Sequence, residues 1–279
     1  MKRVFLYTNV LNNFNFTMDM GQNKKLLIPY SLNIKQNDAE MSLSDHLEEL
    51  RQRAFWSVAV LLSSILVCVF SVKSIVKILQ EPALGIKFLQ FAPGEYFFAS
   101  IKVAAYTGLL ISSPFLIYQV MLFILPGMTK DERKTILPIL FGALTLFLSG
   151  LMFGYSVLVP AALNFFINYG SEVVEPFWSF EQYFEFILIL LFSTGLAFQL
   201  PVIQIMLGLL RIVSGDTMIS IWRYVILGST IVGAVLTPSV DPLTQILMSS
   251  IVIVLYFLGA GVVLLVEKSR RNVDYNINF

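Results

Sequence analysis

The sequence predicts an all-α, polytopic membrane protein, and its composition and long apolar runs lead to this prediction. Of the 279 residues, 57% are hydrophobic and 13% are charged. A soluble domain has about 45–50% apolar and about 25% charged residues. A chain with so few polar residues cannot cover the outside of a water-soluble core, so its outer surface must face lipid.

Six apolar segments are predicted to cross the membrane as helices. A crossing needs about 20 residues for roughly 30 Å of hydrocarbon, and five of the segments have that length. The fifth in chain order is shorter, because the prolines at 238 and 242 cannot continue a helix. The segments are Ala54–Val72, Val103–Leu125, Ile136–Val159, Phe184–Leu210, Tyr224–Leu236 and Leu243–Val266.

The distribution of Lys and Arg predicts that both chain termini lie on the cytoplasmic or stromal side. In that orientation fifteen of the nineteen basic residues lie inside, in agreement with the positive-inside rule. A re-entrant segment in place of the short fifth helix would move Lys268, Arg270 and Arg271 to the outside. A hairpin of two crossing helices over 224–266 is therefore favoured, with a short first limb that thins the bilayer or packs on neighbouring helices.

The chain is predicted to contain one membrane domain with short flanking tails. Residues 1–40 are polar and Asn-rich, lack helical apolar periodicity and are interpreted as a poorly ordered amino-terminal tail. The membrane domain covers residues 41–271, and residues 272–279 form a short carboxy-terminal tail.

The composition also argues against several classes of function. The formal net charge is +1, so nothing indicates a nucleic-acid surface. A single cysteine, Cys68, and a single histidine, His46, cannot build a disulfide framework or a multi-His metal site. We therefore expect no enzyme, no metal and no cofactor.

Two carboxylates are predicted to lie on the inside face of the membrane. Residues 42–53 form an interfacial helix with Ser44 as its N-cap, and this helix carries Glu49. In the loop after the second span, Thr129 and Glu132 match a capping box. These side chains either anchor and cap helices or receive guanidinium groups through forked hydrogen bonds, and the pattern alone leaves both interpretations open.

Other polar residues lie in or beside the predicted spans. Lys102 and Glu185 lie near span ends and are expected to snorkel to the interface. Gln199 lies deep in the fourth span, where an amide needs a partner, and we favour a partner outside the chain over an intramolecular bond. Pro201 is expected to kink this span. The outside loop over residues 73–96 is expected to form an ordered cap on the membrane.

Taken together and in this order, these segments resemble the TatC subunit family of the twin-arginine protein translocase. The resemblance runs from about Met41 to Arg271. Its landmarks are MSLSDHLEELRQR (41–53), APGEYF (92–97) with IK (101–102), SP (113–114) with YQ (118–119), FILPGMTKDER (123–133), FGY (153–155) with Pro160, FQLPV (198–202), RY (223–224) and LTPSVD (236–241).

The resemblance implies a receptor that binds folded precursor proteins through an Arg-Arg pair in the signal peptide. It also implies recruitment of small single-span partners of the TatA and TatB type, with transport driven by the proton-motive force. The family's six helices form a cupped bundle without a pore of its own, and the last two helices are short.

The resemblance also implies roles for particular residues. Glu49 and Glu132 receive the two arginines, and Phe123 and Arg133 lie at the same signal-peptide site. Gln199, where many relatives have Glu, contacts partner subunits on the concave membrane face. Three further positions match residues that matter in the outside loops: Pro82, Glu95 and Asp241.

Two choices accompany this interpretation. Asn-, Ile- and Phe-rich usage indicates an AT-rich genome and favours a plastid thylakoid membrane over a bacterial inner membrane. The alternative function is an ion-coupled small-solute transporter with Lys102, Glu185, Gln199 and Asp241 along a polar path. Of these four residues only Gln199 is expected to lie deep in the membrane, so the receptor is favoured.

Overall fold

The structure, a computed structural model, describes residues 43–83, 86–124, 135–169, 177–237 and 241–277. The predicted amino-terminal tail lies outside the described residues. The elements in chain order are α1 (Leu43–Gln80), β1 (Phe88–Leu89), α2 (Glu95–Ile124), α3 (Ile136–Phe153), α4 (Val159–Tyr169), β2 (Trp178–Ser179), α5 (Phe180–Ala197), α6 (Leu200–Leu209), α7 (Gly215–Ser220), α8 (Trp222–Leu236) and α9 (Pro242–Ile277).

These elements confirm the predicted all-α membrane class. In the described part of the chain, five helical stretches are long and apolar enough to cross a membrane, and Trp222–Leu236 is a shorter apolar helix. The short limb was expected over Tyr224–Leu236, and α8 has 15 residues. At about 1.5 Å per residue it is shorter than the roughly 30 Å of hydrocarbon. The number of crossings and the side of the termini remain predictions.

Helix α1 is longer than the sequence indicated. The predicted interfacial helix and the first span form one helix of 38 residues, because the Glu, Leu, Arg and Gln residues before the span are all good helix formers. The helix begins at Leu43, so the prediction of Ser44 as its N-cap is wrong. Helix α9 likewise continues past the predicted end of the last span, to Ile277. With 36 residues it is not short, so the expectation of two short final helices is wrong for the last one.

Two of the predicted spans are interrupted. The fourth bends at Phe198 and Gln199, between α5 and α6, and Pro201 lies in the first turn of α6. This confirms the expected kink, since proline lacks the backbone N–H that would continue the hydrogen bonds of the α5 helix. The third span contains a π-helical turn, Gly154–Leu158, between α3 and α4, which the sequence analysis did not predict.

Helix α5 forms the centre of the bundle, whereas α1 lies at its edge. About two thirds (67%) of the apolar window of α5 and α6 is buried, against 6% of the window of α1. Phe184, Ile187 and Leu188 of α5 are fully buried and belong to one core cluster with Val103 of α2 and Met248 of α9. The outward side chains of α1, such as Phe70 and Leu66, are exposed, as expected for a lipid-facing helix.

Helices α1 and α2 pack at very close range through a glycine. A Cβ added at Gly108 of α2 would lie 2.6 Å from Cγ1 and 2.7 Å from Cα of Ile65 in α1. Small residues allow membrane helices to approach in this way. The two helices are antiparallel. The start of α1 lies beside the end of α2, and this side of the bundle is here called the Glu49 end. The end of α1 lies beside the start of α2, and this side is called the Glu95 end.

A parallel two-residue sheet links the loops at the Glu95 end. Phe88 pairs with Trp178, and Leu89 pairs with Ser179. Tyrosine hydroxyls also bind the last carbonyls of α1: Tyr183 Oη donates to Leu79 O at 2.8 Å. The described part of the loop over 73–96 is therefore ordered, as expected, and is tied to the start of α5.

The Glu95 side chain is the polar centre of this end. Its carboxylate accepts hydrogen bonds from the backbone N–H of Phe91 at 2.6 Å and Ala92 at 3.3 Å. It also accepts from Ser179 Oγ at 2.6 Å and from Glu181 N at 3.3 Å. One buried carboxylate thus joins the turn before α2 to the start of α5.

Lys102 makes two ion pairs with carboxylates of α5, and its expected snorkelling to the interface stays a prediction. Its Nζ lies 2.7 Å from Glu181 Oε1 and 2.8 Å from Glu185 Oε2. All three side chains are between 31% and 44% exposed. The sequence analysis placed Lys102 and Glu185 at span ends but did not anticipate that α2 and α5 bring them together.

We expect Gly108→Ala to destabilise the protein, because its Cβ would collide with the Ile65 backbone. Overpacking of this kind costs about 1–3 kcal/mol. Gly142→Ala in α3 is the matched control, since a Cβ there meets nothing within 4 Å among the described residues. This control should leave stability unchanged or raise it by up to about 1 kcal/mol. Thermal unfolding in detergent measures both, and equal effects would contradict the predicted close contact.

We expect Glu95→Gln to loosen the loops at the Glu95 end, because the neutral amide keeps one acceptor oxygen and points an NH2 group at N–H donors. The measurement is limited proteolysis of the segments on either side of β1 and β2, together with the unfolding temperature. Glu48→Gln, an exposed carboxylate at the other end of α1, serves as the control. If these segments are cleaved no faster in Glu95→Gln than in the unmodified chain, this carboxylate does not hold the two loops together.

Candidate functional site

The candidate site is formed at the Glu49 end, where the first turns of α1 meet the last turns of α2. On α1, His46, Glu49 and Arg53 are spaced three and four residues apart, so their side chains lie on one helix face. On α2, Gln119 and Phe123 are also four residues apart and form the facing surface. The antiparallel pairing of the two helices therefore brings five polar or aromatic side chains together.

Glu49 is already paired with a guanidinium group from its own helix. Both Nε and Nη2 of Arg53 donate to Glu49 Oε1, the former at 3.0 Å. Arg53 Nη1 donates to Gln119 Oε1 at 3.4 Å, a contact between residues 66 positions apart in the sequence. The side chains of Glu49 and Arg53 are only 19% and 22% exposed. The pair is thus shielded, and salt will screen it less than a surface pair.

A neighbouring pair on the same helix provides a contrast. Arg51 Nη2 donates to Glu48 Oε1 at 2.6 Å, but these side chains are 78% and 63% exposed. Exposed pairs of this kind contribute about 0–1 kcal/mol. Glu48 and Glu49 are adjacent in sequence, and the helix places one in solvent and the other at the α1–α2 contact.

His46 connects Glu49 to Phe123. The rings of His46 and Phe123 are stacked, with centroids 4.3 Å apart and planes inclined by 16°. His46 Nδ1 lies 3.8 Å from Glu49 Oε2. This oxygen is buried and accepts no hydrogen bond from the described residues. The structure thus brings together Glu49 and Phe123, two of the predicted signal-peptide residues.

The other two predicted residues at this site, Glu132 and Arg133, lie outside the described residues, as does the predicted capping box at Thr129 and Glu132. The residues on either side of this segment are described. Met121, near the end of α2, and Ile136, the first residue of α3, belong to one buried cluster. The described residues on either side of 125–134 therefore lie at the Glu49 end.

Gln199 is buried at the bend between α5 and α6, with 8% of its surface exposed. Its Nε2 donates to Ala143 O of α3 at 3.1 Å. The amide thus has an acceptor within the chain, which the sequence analysis considered but did not favour. Its predicted contact with a partner subunit stays a prediction.

The three predicted loop residues make local structural contacts. Pro82 lies in a 3-10 turn, Glu81–Ala83, that follows α1, and Glu95 joins the loops as described above. Asp241 is 2% exposed and its Oδ2 accepts from Thr244 N at 2.8 Å, the geometry of an N-cap for α9.

Sequence reasoning missed Arg53, Gln119 and His46 as members of the site. The spacing of Glu49 and Arg53 was a usable signal, because opposite charges four residues apart pair on a helix. No such local signal exists for Gln119, which reaches Arg53 only through helix packing. Within the described ranges, no group of three His, Cys, Asp or Glu side chains could hold a metal ion.

Comparisons with known proteins identify the family of the chain. The family described as "Sec-independent protein translocase protein (TatC)" matches residues 45–250. A tatC-like protein of Guillardia theta is 69% identical over 271 residues, covering 97% of this chain and 93% of the relative. The chloroplastic Sec-independent protein translocase protein TATC of Pisum sativum is 53% identical over 234 residues, covering 83% of this chain and 66% of the relative.

A solved structure agrees as well. The crystal structure of a twin arginine translocase receptor, TatC, superposes with a TM-score of 0.69 at 28% sequence identity, covering 78% of this chain and 99% of the other. A family match over most of the membrane domain, high identity to relatives across nearly the whole chain and a shared fold together show that this chain belongs to the TatC family.

Proposed function

We propose that this chain, a core subunit of the twin-arginine translocase, binds the Arg-Arg signal peptide of folded precursor proteins at the Glu49 end. Glu49 and Glu132 would each receive one arginine, with Phe123 and Arg133 at the same site. The chain would recruit small single-span subunits for transport driven by the proton-motive force. Family membership also makes the chain a translocase component, not an enzyme.

The observation that supports this proposal most directly is the burial and hydrogen bonding of the Glu49 carboxylate. It is shielded from water, and it already accepts two hydrogen bonds from a guanidinium group. The chemistry that binds Arg53 is the chemistry that would bind an arginine of a signal peptide. Phe123, which reaches Glu49 through the His46 ring, adds an apolar surface beside the carboxylate.

The same considerations give the location. The apolar helices make the chain a multi-pass membrane protein, and the pea relative is a chloroplastic protein. The membrane is that of the plastid thylakoid, and the Glu49 end would face the stroma. The bacterial inner membrane is not favoured.

The small-solute transporter is not favoured either. Lys102 and Glu185, two of its four proposed residues, pair with each other, and Asp241 caps a helix. Family membership points to protein transport.

We expect Glu49→Gln to weaken binding of a synthetic twin-arginine signal peptide about tenfold or more, because hydrogen bonds to a charged group are worth about 1.5–3 kcal/mol. The full chain in liposomes and a fluorescent peptide provide the binding curve. The double variant Glu49→Ala, Glu132→Ala should abolish crosslinking to the peptide.

Glu48→Gln is the matched control for this experiment, since it removes the same charge one residue away from an exposed position. It should leave the peptide affinity nearly unchanged. Equal affinities for the Glu49→Gln variant and the unmodified chain would refute the proposed site.

We expect Gln199→Leu to reduce co-purification of single-span partner subunits while peptide binding at the Glu49 end is retained. The leucine has a similar size but neither donates nor accepts a hydrogen bond. Thr145→Val on the exposed side of α3 is the control, because it also removes a polar group but lies at a position not proposed to contact a partner subunit. It should leave the recovery of partner subunits unchanged. Unchanged recovery of partners with Gln199→Leu would exclude this residue from the contact.

A further inference from the structure

We propose that the connection between α6 and α8 binds the headgroup of an anionic membrane lipid through the guanidinium groups of Arg211 and Arg223. This connection, here called the α7 surface, consists of residues 210–224 and includes the short helix α7 (Gly215–Ser220). It is formed by other residues than the contact of α1 with α2, and the inference does not depend on signal-peptide binding.

The first support is the backbone of Arg211. Its φ is 58°, and it is the only described residue other than glycine with a positive φ. It follows the end of α6, where Arg211 N donates to Gly208 O at 3.1 Å and Ile212 N donates to Leu207 O at 3.0 Å. These two bonds define a Schellman motif. Glycine is the usual residue at the position of Arg211 in this motif, because it adopts the left-handed conformation without steric cost.

The side chain of Arg211 does not recover this cost within the described part of the chain. It is exposed, and it forms no ion pair or hydrogen bond with the described residues. Residues in sparsely populated backbone conformations cluster at sites that bind ligands. A side chain that strains the backbone and contacts nothing in the described chain therefore indicates a target outside the chain.

The second support is the position of the α7 surface at the membrane boundary. Leu209, the last residue of α6, belongs to one buried cluster with Met121 and Ile136, so α6 ends at the Glu49 end. The long apolar stretch that contains α6 ends at Leu209, and the shorter apolar helix begins at Trp222. Residues 210–221 thus join two apolar membrane helices, and lipid headgroups lie at the ends of such helices.

The third support is the set of side chains around the two arginines. Arg223 is exposed and lies over the ring of Trp222, with its Cζ 5.5 Å from the ring centroid. Trp222 is 46% exposed and Tyr224 is 76% exposed. Tryptophan and tyrosine are enriched at membrane–water interfaces. An apolar face for the acyl chains comes from three further exposed residues: Ile212, Ile219 and Ile221.

The charges of the α7 surface determine which lipid it fits. Arg211 and Arg223 flank α7, which has six residues and a length of about 9 Å. Two carboxylates lie at the start of α7: Asp216 is in its first turn, and Glu267 Oε1 accepts from Gly215 N at 3.1 Å. Neither arginine forms an ion pair with a described residue. Because a guanidinium binds phosphate through paired donors, the two arginines fit an anionic headgroup.

The test measures lipid binding to the full chain in neutral detergent by native mass spectrometry. The probes are phosphatidylglycerol, which is anionic, and phosphatidylcholine, which is zwitterionic. Arg211→Asn removes the charge and keeps a residue that tolerates the left-handed conformation. We expect its affinity for phosphatidylglycerol to fall about fivefold, the contribution of one basic residue at an anionic membrane surface. Arg223→Gln should have an effect of the same size. The affinity for phosphatidylcholine should not change.

The matched control is Arg51→Gln, which also removes an exposed positive charge at the Glu49 end but lies outside the α7 surface. It should leave the affinity for phosphatidylglycerol unchanged. Arg211→Lys keeps the positive charge and should retain most of this affinity.

Arg211→Gly separates backbone strain from lipid binding, because it relieves the strain and removes the charge. Without added lipid, we expect its unfolding temperature in neutral detergent to equal or exceed that of the unmodified chain. The increase in unfolding temperature on adding phosphatidylglycerol should be smaller than for the unmodified chain. A structural role of the side chain would instead lower the unfolding temperature in the absence of lipid.

Unchanged affinity of Arg211→Asn for phosphatidylglycerol would overturn the inference. An equal loss with Arg51→Gln would also overturn it, because net charge and not the α7 surface would then determine binding. A lower unfolding temperature of Arg211→Gly without lipid would show that the side chain acts within the chain. If the Arg211 variants bind phosphatidylglycerol normally but recover fewer partner subunits, the α7 surface contacts a protein and the lipid site is refuted.

Discussion

The ends of the bundle depend on one constraint: a charged side chain that is shielded from water needs a hydrogen-bonding or oppositely charged partner. Leaving such a group unpaired costs about 1–3 kcal/mol, and more if it is charged. Glu95 satisfies the constraint with four donors from two loops, and Lys102 does so with two carboxylates of α5. Each solution joins segments that are distant in sequence, so the polar contacts define the ends of the bundle.

The Glu49 end satisfies the same constraint in a different way. There the partner of the carboxylate is a long, flexible arginine side chain that also touches a second acceptor. The Glu95 carboxylate is held by backbone N–H groups, which cannot leave without unfolding a turn. Both carboxylates are partly or fully shielded, but one is held by backbone groups and the other by a side chain.

The fold was largely predictable because apolar length and Pro positions act locally. The spans, the short α8 and the bend at Pro201 follow from such signals. The two-residue strands β1 and β2 were missed, since two residues have no periodicity, and the continuity of α1 was hidden by the change from polar to apolar residues at Ala54. At the site, the resemblance supplied Glu49 and Phe123. The contact of Arg53 with Gln119 depends on how α1 packs against α2, which no local pattern encodes.

The continuity of α1 has a mechanical consequence. An unbroken helix of 38 residues is about 57 Å long, nearly twice the roughly 30 Å of the hydrocarbon layer. Its far end is fastened by Tyr183 at Leu79, and no proline or π-turn interrupts it as a hinge. Such a continuous helix fixes the distance between the Glu49 end and the Glu95 end of the bundle.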